Sequence, residues 1–203
     1  MSFKKRQLVK LDKILFFSNN NNKVIEINHL FKNLKLEIIS PNDYNFIGEP
    51  KETGNSFAEN AKIKSLFGYE NFRTACFAED SGICIEALGW KPGIFSKRHL
   101  SSFKDKFSCF KDIINKVKLT GKTKAYFQTS VCLTLKKNYH LVFEGKINGT
   151  ISQKIKGGGG FGYDPIFIPD GGLETFSQMS KMQKNKISHR SIAINKLINF
   201  LSN

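Results

Sequence analysis

Three groups of polar residues in this 203-residue chain have the types and spacing that phosphate chemistry asks for. The first is SNNNNK at residues 18–23, a polar stretch between an apolar run and the start of helical periodicity. At a strand-to-helix junction, unpaired backbone N–H groups and the positive end of the helix dipole face an anion together, and Lys23 adds a full charge. The stretch is not a G-x-x-x-x-G-K-[ST] loop, so an asparagine-rich turn with a solvated lysine is the competing account when it is taken alone. The second group is Glu52 and Asp80, far apart in sequence and each expected on a loop beside a regular element. Magnesium prefers oxygen ligands, keeps several waters and shares substrate phosphates, so carboxylates converging on a cleft would suit it. Ordinary turn acids look the same. Asn60 and Lys64 stand one helical turn apart and share a face, toward that cleft or toward solvent. The third group is KNKISHR at residues 184–190, which gathers cations, a hydroxyl and an imidazole near a helix start or kink. It suits phosphate and base-edge contacts, or a solvated basic face.

Local pattern supplies the elements that must position these groups. Residues 13–18 (KILFFS) are a short apolar run stopped by four asparagines, the mark of a buried strand ending in a loop. Val24, Ile27, Leu30, Phe31 and Leu34 then recur at helical spacing, and LEIIS returns to strand character before Pro41. Strand, loop, helix, strand is the opening of an α/β fold. Ser56-Phe57-Ala58-Glu59 is a capping box and predicts a helix over about 57–69. Residues 74–78 and 83–88 are predicted as two strands around an acidic turn, Glu79-Asp80-Ser81-Gly82, which puts a carboxylate pair at a strand end. A helix over 104–119 and two strands over about 124–135 and 140–152 follow, joined at Lys137-Asn138. Gly157 to Gly160 lead into FGYDPIFIPDGG, a tight loop, short strand and turn where glycine permits close ligand approach. Ser180-x-x-Gln183 is a second box, predicted to open the C-terminal helix that carries Ile192, Ile194, Leu197, Ile198 and Leu201.

Bulk properties narrow the class. The length suits one folding unit, and 40% hydrophobic residues with 19 Phe supply enough apolar surface to exclude disorder. A formal charge of +15 raises nucleic acid, a membrane surface or a phosphorylated ligand, but the lysines are scattered over most expected faces rather than gathered in a stripe. Cys76, Cys84, Cys109 and Cys132 form no C-x-x-C pair and have no histidine at metal spacing, so they are expected to be reduced and structural. The basic start MSFKKRQLVKLDK lacks an apolar signal core, and no apolar run approaches the roughly 20 residues of a membrane span, so the default is a cytoplasmic protein without a membrane partner.

The ordered set SNNNNK, ETGNSFAEN, AEDSG followed by ALGWKPGIFSKR, GGFGYDPIF and KNKISHR closely resembles the signature blocks of the inosine triphosphate pyrophosphatase family, the non-standard purine nucleoside triphosphate pyrophosphatases. The resemblance runs from about Ile14 to Leu197. It implies an α/β fold with a long twisted mixed sheet, flanking helices and two lobes around a central cleft, after a basic arm over 1–12. The implied reaction takes inosine or xanthosine triphosphates, ribo or deoxy, to the monophosphate and pyrophosphate with Mg2+, in a homodimer. By the same resemblance Ser18, Asn20 and Lys23 bind the triphosphate, Glu52 and Asp80 manage magnesium, Asp80 is the general base and Ser81 contacts substrate. Asn60 and Lys64 join that cleft, with Lys23, Lys64 and Lys184 as the cations for the leaving pyrophosphate. Phe161, Gly162, Tyr163, Asp164, His189 and Arg190 fall at the nucleoside end. There Phe161 offers a stacking face, and donor-only Arg190 suits the 6-oxo group of hypoxanthine or xanthine.

The chain departs from the family pattern at three places. Glu79 stands where aspartate is usual, with an expected effect on metal or neighbouring geometry. Trp90 replaces a usual glycine, with an expected effect on the cleft rim. Met182 and Gln183 stand where acidic residues are common, removing negative charge next to Lys184. Two other readings remain open at this point: a basic nucleic-acid-binding protein without catalysis, which no RRM, KH or zinc-finger signature supports, and a pyrophosphatase for other modified nucleotides.

Overall fold

The computed structural model describes residues 11–202, so most of the basic arm expected over 1–12 lies outside the described residues. Seven strands form one mixed sheet in the order β2-β1-β3-β5-β6-β7, with β4 pairing on β3. The strands are β1 (Lys13–Phe16), β2 (Glu37–Ile39), β3 (Cys76–Ile85), β4 (Lys91–Pro92), β5 (Lys124–Lys136), β6 (Tyr139–Ile151) and β7 (Phe167–Pro169). Among the described residues the α-helices are α1 (Asn21–Phe31), α2 (Phe57–Phe72), α3 (Ser96–Ser101), α4 (Lys106–Thr120), α5 (Lys181–Ile187) and α6 (His189–Ser202). β1 runs parallel to both β2 and β3, as its helical crossover requires, whereas β3, β5, β6 and β7 are joined antiparallel.

The acidic segment Glu79 to Gly82 is not a turn. It is the middle of β3, in continuous register with β5: Glu79 faces Val131, Asp80 faces Ser130, Ser81 faces Thr129 and Gly82 faces Gln128. Cross-strand pairing satisfies its backbone, so the local polarity that mimics a turn marks instead a polar stretch within a strand. The expected strand over 83–88 correspondingly ends at Ile85 and gives way to a 3-10 turn, Glu86–Leu88.

This stretch separates two apolar clusters. Phe77 packs with Ile14, Phe16, Ile27, Phe31, Val131, Leu133 and Leu197 beneath α1 and α6. Ile83 and Ile85 pack with Phe110, Ile113, Phe127, Phe167 and Phe176 beneath α4. A third cluster on the other face of β1, Leu15, Phe17 and Cys76, seals α2 and its neighbours. The four cysteines are free and buried, as expected, and burial pushes the thiol of Cys109 up to about 11.

The helix signals hold with two corrections. Ser56 Oγ accepts from the amide of Glu59, but the Glu59 carboxylate reaches one residue further back, to the amide of Asn55. The Ser180–Gln183 box is reciprocal and opens α5 rather than the long C-terminal helix. Ser188, at extended backbone angles, ends α5, and its hydroxyl accepts from the amide of Ser191 in the first turn of α6. The break aims His189 and Arg190 inward from the start of α6.

Gly145 on β6 lets that helix start lie flat on the sheet: a Cβ there would collide with the carbonyl oxygen of His189 and the amide nitrogen of Ala193. Gly145→Ala should therefore lower the free energy of unfolding by about 1–3 kcal/mol, the usual cost of overpacking a well-filled site. Chemical denaturation measures it; an unchanged midpoint would mean that α6 is not seated this closely.

Candidate active site

A cleft of about 1130 Å³ opens over the polar middle of β3. It is lined by the loop after β1, the loop bearing Glu52, the start of α3, the Phe161–Asp164 loop and the α5–α6 break. Every catalytic, metal or substrate residue expected from the sequence lines it except Asn60, which is fully buried behind it.

Alternation along β3 sends its two acids to opposite faces. Asp80 points toward α2, where its Oδ1 accepts from Lys64 Nζ at 2.9 Å and its Oδ2 from Asn60 Nδ2 at 3.3 Å. Lys64 Nζ also donates to Glu52 Oε1 at 2.7 Å. Asn60 Oδ1 in turn accepts from the amide of Gly54 at 2.9 Å, which ties the Glu52 loop to α2. Burial would raise the pKa of Glu52, but the Lys64 charge and hydrogen bond outweigh it and hold the carboxyl below its ordinary range. Burial likewise acts to lower Lys64, and Asp80 and Glu52 together raise it.

Glu79 points the other way, into a buried network that no local sequence signal announces. Both of its oxygens accept from Arg190 Nε, at 2.9 and 2.8 Å, and Oε1 lies 3.0 Å from Lys23 Nζ. Arg190 Nη1 donates to Glu26 Oε2 at 2.6 Å, and Nη2 lies 3.3 Å from Ser81 Oγ. Glu26 also lies 3.7 Å from Lys184 Nζ, which pairs with Asp164 Oδ2 at 2.7 Å. Burial penalises the charge on Glu79, yet Arg190 and Lys23 prevail and keep its carboxyl well below the usual carboxylate range. The same burial lowers Lys23 despite Glu79. Asp164 goes upward, because burial outweighs Lys184 and the bond from the amide of Phe161.

At the far end, the Phe161 ring carries Lys184 Nζ 4.8 Å and the Arg190 guanidinium carbon 5.2 Å from its centroid. Gly160, at φ 71, keeps the backbone clear of the Asp164 carboxylate, where a side chain would collide. His189 stacks on Phe127 at 4.6 Å and 8°. Burial lowers its pKa well below the ordinary value, so the ring is neutral at pH 7, and Nδ1 is buried without a hydrogen-bond partner among the described residues. The Tyr163 hydroxyl is engaged within the protein, bonded to the carbonyl of Ser96 and to His99 Nδ1, both at 2.9 Å. Asn20 caps α1, its Oδ1 accepting from the amides of Asn22 and Lys23, and Ser18 Oγ accepts from the amide of Asn20.

The departures acquire structural meaning. Glu79 lies on the face of β3 away from Glu52 and Asp80, where it anchors Arg190 and Lys23. Trp90 does not line the cleft: it sits at φ 64, a conformation that favours glycine, 46% exposed, beside Tyr126 in an adjoining groove. Gln183 closes the α5 cap, and Met182 is exposed. Beyond the sequence-derived set, the cleft mouth carries Lys51, Lys97 and Arg98. For Glu26 the only sequence signal is its place three residues after Lys23, on the same helical face.

The Ham1 family model matches residues 14–200. A dITP/XTP pyrophosphatase of Porphyromonas gingivalis is 35% identical over 94% of this chain and 98% of its own length. The structure of a HAM1 protein from Coxiella burnetii superposes with a TM-score of 0.85 at 29% identity, covering 94% of this chain and 98% of that one. The Staphylococcus aureus Ham1 protein gives 0.83 at 33% identity over the same shares. No helix among the described residues is long and apolar enough to cross a membrane.

Removing one partner from a buried ion pair strands the others, so Glu79→Gln should cost about 3–5 kcal/mol of stability at neutral pH. The folded pKa of Glu79 is depressed, so its contribution is complete above the ordinary value of 4.5 and declines as the pH falls through and below it. Urea titrations of both proteins from pH 7 to pH 3 should show the gap narrowing on the acid side; a gap that widens there would contradict the network.

Proposed function

This chain belongs to the Ham1 family, and on that premise we propose that it hydrolyses the non-standard purine nucleoside triphosphates ITP, dITP and XTP to the monophosphate and pyrophosphate. The observation that carries the reading is the pair Glu52–Asp80, drawn together on one cation at the floor of a cleft whose other end presents an aromatic ring. Lys64 shows that these hard oxygen donors converge on a positive charge, which is what a magnesium ion shared with substrate phosphates requires. The family's magnesium therefore fits Glu52 and Asp80, and when bound it supplies Lewis-acid polarisation of the phosphoryl oxygens.

The remaining chemistry belongs to the chain. Asp80, oriented by Lys64 and Asn60, takes the proton from a water attacking the α-phosphorus. The bond from that phosphorus to the bridging oxygen breaks, and Lys23 and Lys64 receive the charge of the departing pyrophosphate, whereas Lys184, expected to join them, is paired with Asp164 beside Phe161 at the other end. Ser18, Asn20 and Ser81 add polar contacts at the phosphate end. The purine stacks on Phe161, beside Gly162, Tyr163 and Asp164, with neutral His189 in the same cleft. Nε of Arg190 is spent on Glu79 and one Nη1 hydrogen on Glu26, so Nη2, whose contact to Ser81 is long, is the nitrogen offered to a 6-oxo acceptor. An adenine would oppose an amino donor to that donor, at about 1–3 kcal/mol per unpaired buried group. The proposal includes a cytoplasmic homodimer, supported by exposed Trp90 and Phe95 along the groove beside the cleft.

The test is release of pyrophosphate against orthophosphate from inosine, xanthosine, guanosine and adenosine triphosphates, with and without magnesium. Magnesium-dependent pyrophosphate from the first two is expected, and no hydrolysis of any would overturn the reading. Asp80→Asn should lower kcat by roughly 10²–10⁴-fold, a loss measured at a temperature where the variant is fully folded because its pair with Lys64 is also lost; near-normal turnover would remove Asp80 as the base.

A further inference from the structure

The two carboxylates that the proposed reaction gives to magnesium are already held by a side chain. Lys64 Nζ lies 2.7 Å from Glu52 Oε1 and 2.9 Å from Asp80 Oδ1, and among the described residues it is the one side chain bonded to both. We infer that Lys64 is a displaceable counter-ion: a divalent cation competes with it for Glu52 and Asp80, and the expelled ammonium is handed to the leaving pyrophosphate. The inference rests on the metal assignment made above and concerns what this chain does before and after metal arrives.

Three features argue for exchange rather than a fixed salt bridge. The carboxylates have supports of their own. Asp80 Oδ2 is held by Asn60, and Asn60 also fixes the Glu52 loop through the amide of Gly54, so Asp80 and the backbone that carries Glu52 keep an anchor apart from the lysine. Lys64 projects from α2 on a flexible four-carbon stem with its side chain 15% exposed in the cleft, and a compact ammonium with rotatable donors can swing where a planar guanidinium could not. The charge balance also favours exchange. Two carboxylates with one ammonium leave a net negative charge facing an anionic substrate. A divalent cation neutralises both and frees one positive charge for the phosphates at the moment they need it.

A consequence is cooperativity. Lys64 weakens metal binding to the free protein, and phosphate groups, by offering the ammonium a second partner, relieve that competition. Phosphate and metal then strengthen each other by the same factor, as linkage demands.

The experiment uses the full-length protein without nucleotide and Mn2+ as an electron-spin-resonance probe of free and bound metal. Lys64→Met is expected to bind Mn2+ at least tenfold more tightly than the unsubstituted protein. Lys64→Arg, whose fork grips two carboxylates more firmly, should bind it no more tightly. Unchanged or weaker Mn2+ binding by folded Lys64→Met overturns the exchange. A second arm needs no substitution: acylation of the Lys64 amine, mapped by peptide mass spectrometry, should accelerate several-fold on adding Mg2+, and an unchanged or slower rate overturns the exchange even if Lys64→Met does not fold. Absence of Mn2+ binding by both unsubstituted protein and Lys64→Met would remove the metal assignment, and the exchange with it, while leaving the nucleotide reading to the pyrophosphate assay.

Discussion

A carboxylate taken out of water in the middle of a sheet persists as an anion only if cations accompany it, and Glu79 imposes that requirement on the whole molecule. It sits buried on β3 between two apolar clusters, and its partners come from the two ends of the chain: Lys23 from α1 and Arg190 from α6. Arg190 is in turn too buried to stand on one carboxylate, and Glu26 supplies the second. α1 and α6 are thus fixed over the sheet by charge as well as by Ile27, Phe31, Ile194 and Leu197, and the break at Ser188 that starts α6 is where its arginine has to turn inward.

The pleat of β3 converts this constraint into a division of labour. Adjacent residues on a strand face opposite ways, so the consecutive acids Glu79 and Asp80 cannot share an environment. Glu79 takes the side with α1 and α6 and becomes structural scaffolding for the cations. Asp80 takes the side with α2, where Asn60 and Lys64, one turn apart, hold it in the cleft beside Glu52. An acidic pair that looks interchangeable in the sequence is therefore split into one residue that positions and one that can accept a proton.

Much of this architecture is legible in the order of residues alone. Apolar spacing locates β1, α1, α4 and the β5–β6 hairpin, and the capping serines mark two helix starts, because those signals are local and their hydrogen bonds lie within a single helical turn, although the second opens α5 and not the C-terminal helix expected there. The middle of β3 escapes such reasoning because Glu-Asp-Ser-Gly is turn chemistry by composition, whereas its strand identity is decided by pairing with Gln128 to Val131 on a distant segment of the chain. Glu26 is invisible for the same reason. Nothing near it in sequence distinguishes it from a solvated helix acid, and its role exists only where Arg190 and Lys184 reach it. Chain proximity alone puts the bulk of Trp90 at the cleft rim, but β4 folds back along the end of β3 and carries it into the neighbouring groove.

The length of the side chain at 79, a glutamate where aspartate is usual in the family, matches the network that it serves. A side chain one methylene longer bridges from the strand to Arg190 Nε with both oxygens while keeping Lys23 within 3.0 Å. One carboxylate therefore touches Lys23, proposed for the triphosphate end of the cleft, and Arg190, proposed for the purine end. Glu79 contacts both Lys23 and Arg190, so in the proposed complex a base that displaced or tightened Arg190 would change the carboxylate it shares with Lys23. Under the proposed function, selectivity for the base would act on how the phosphates are held as well as on how tightly the nucleotide binds, the form of discrimination that raises kcat along with affinity.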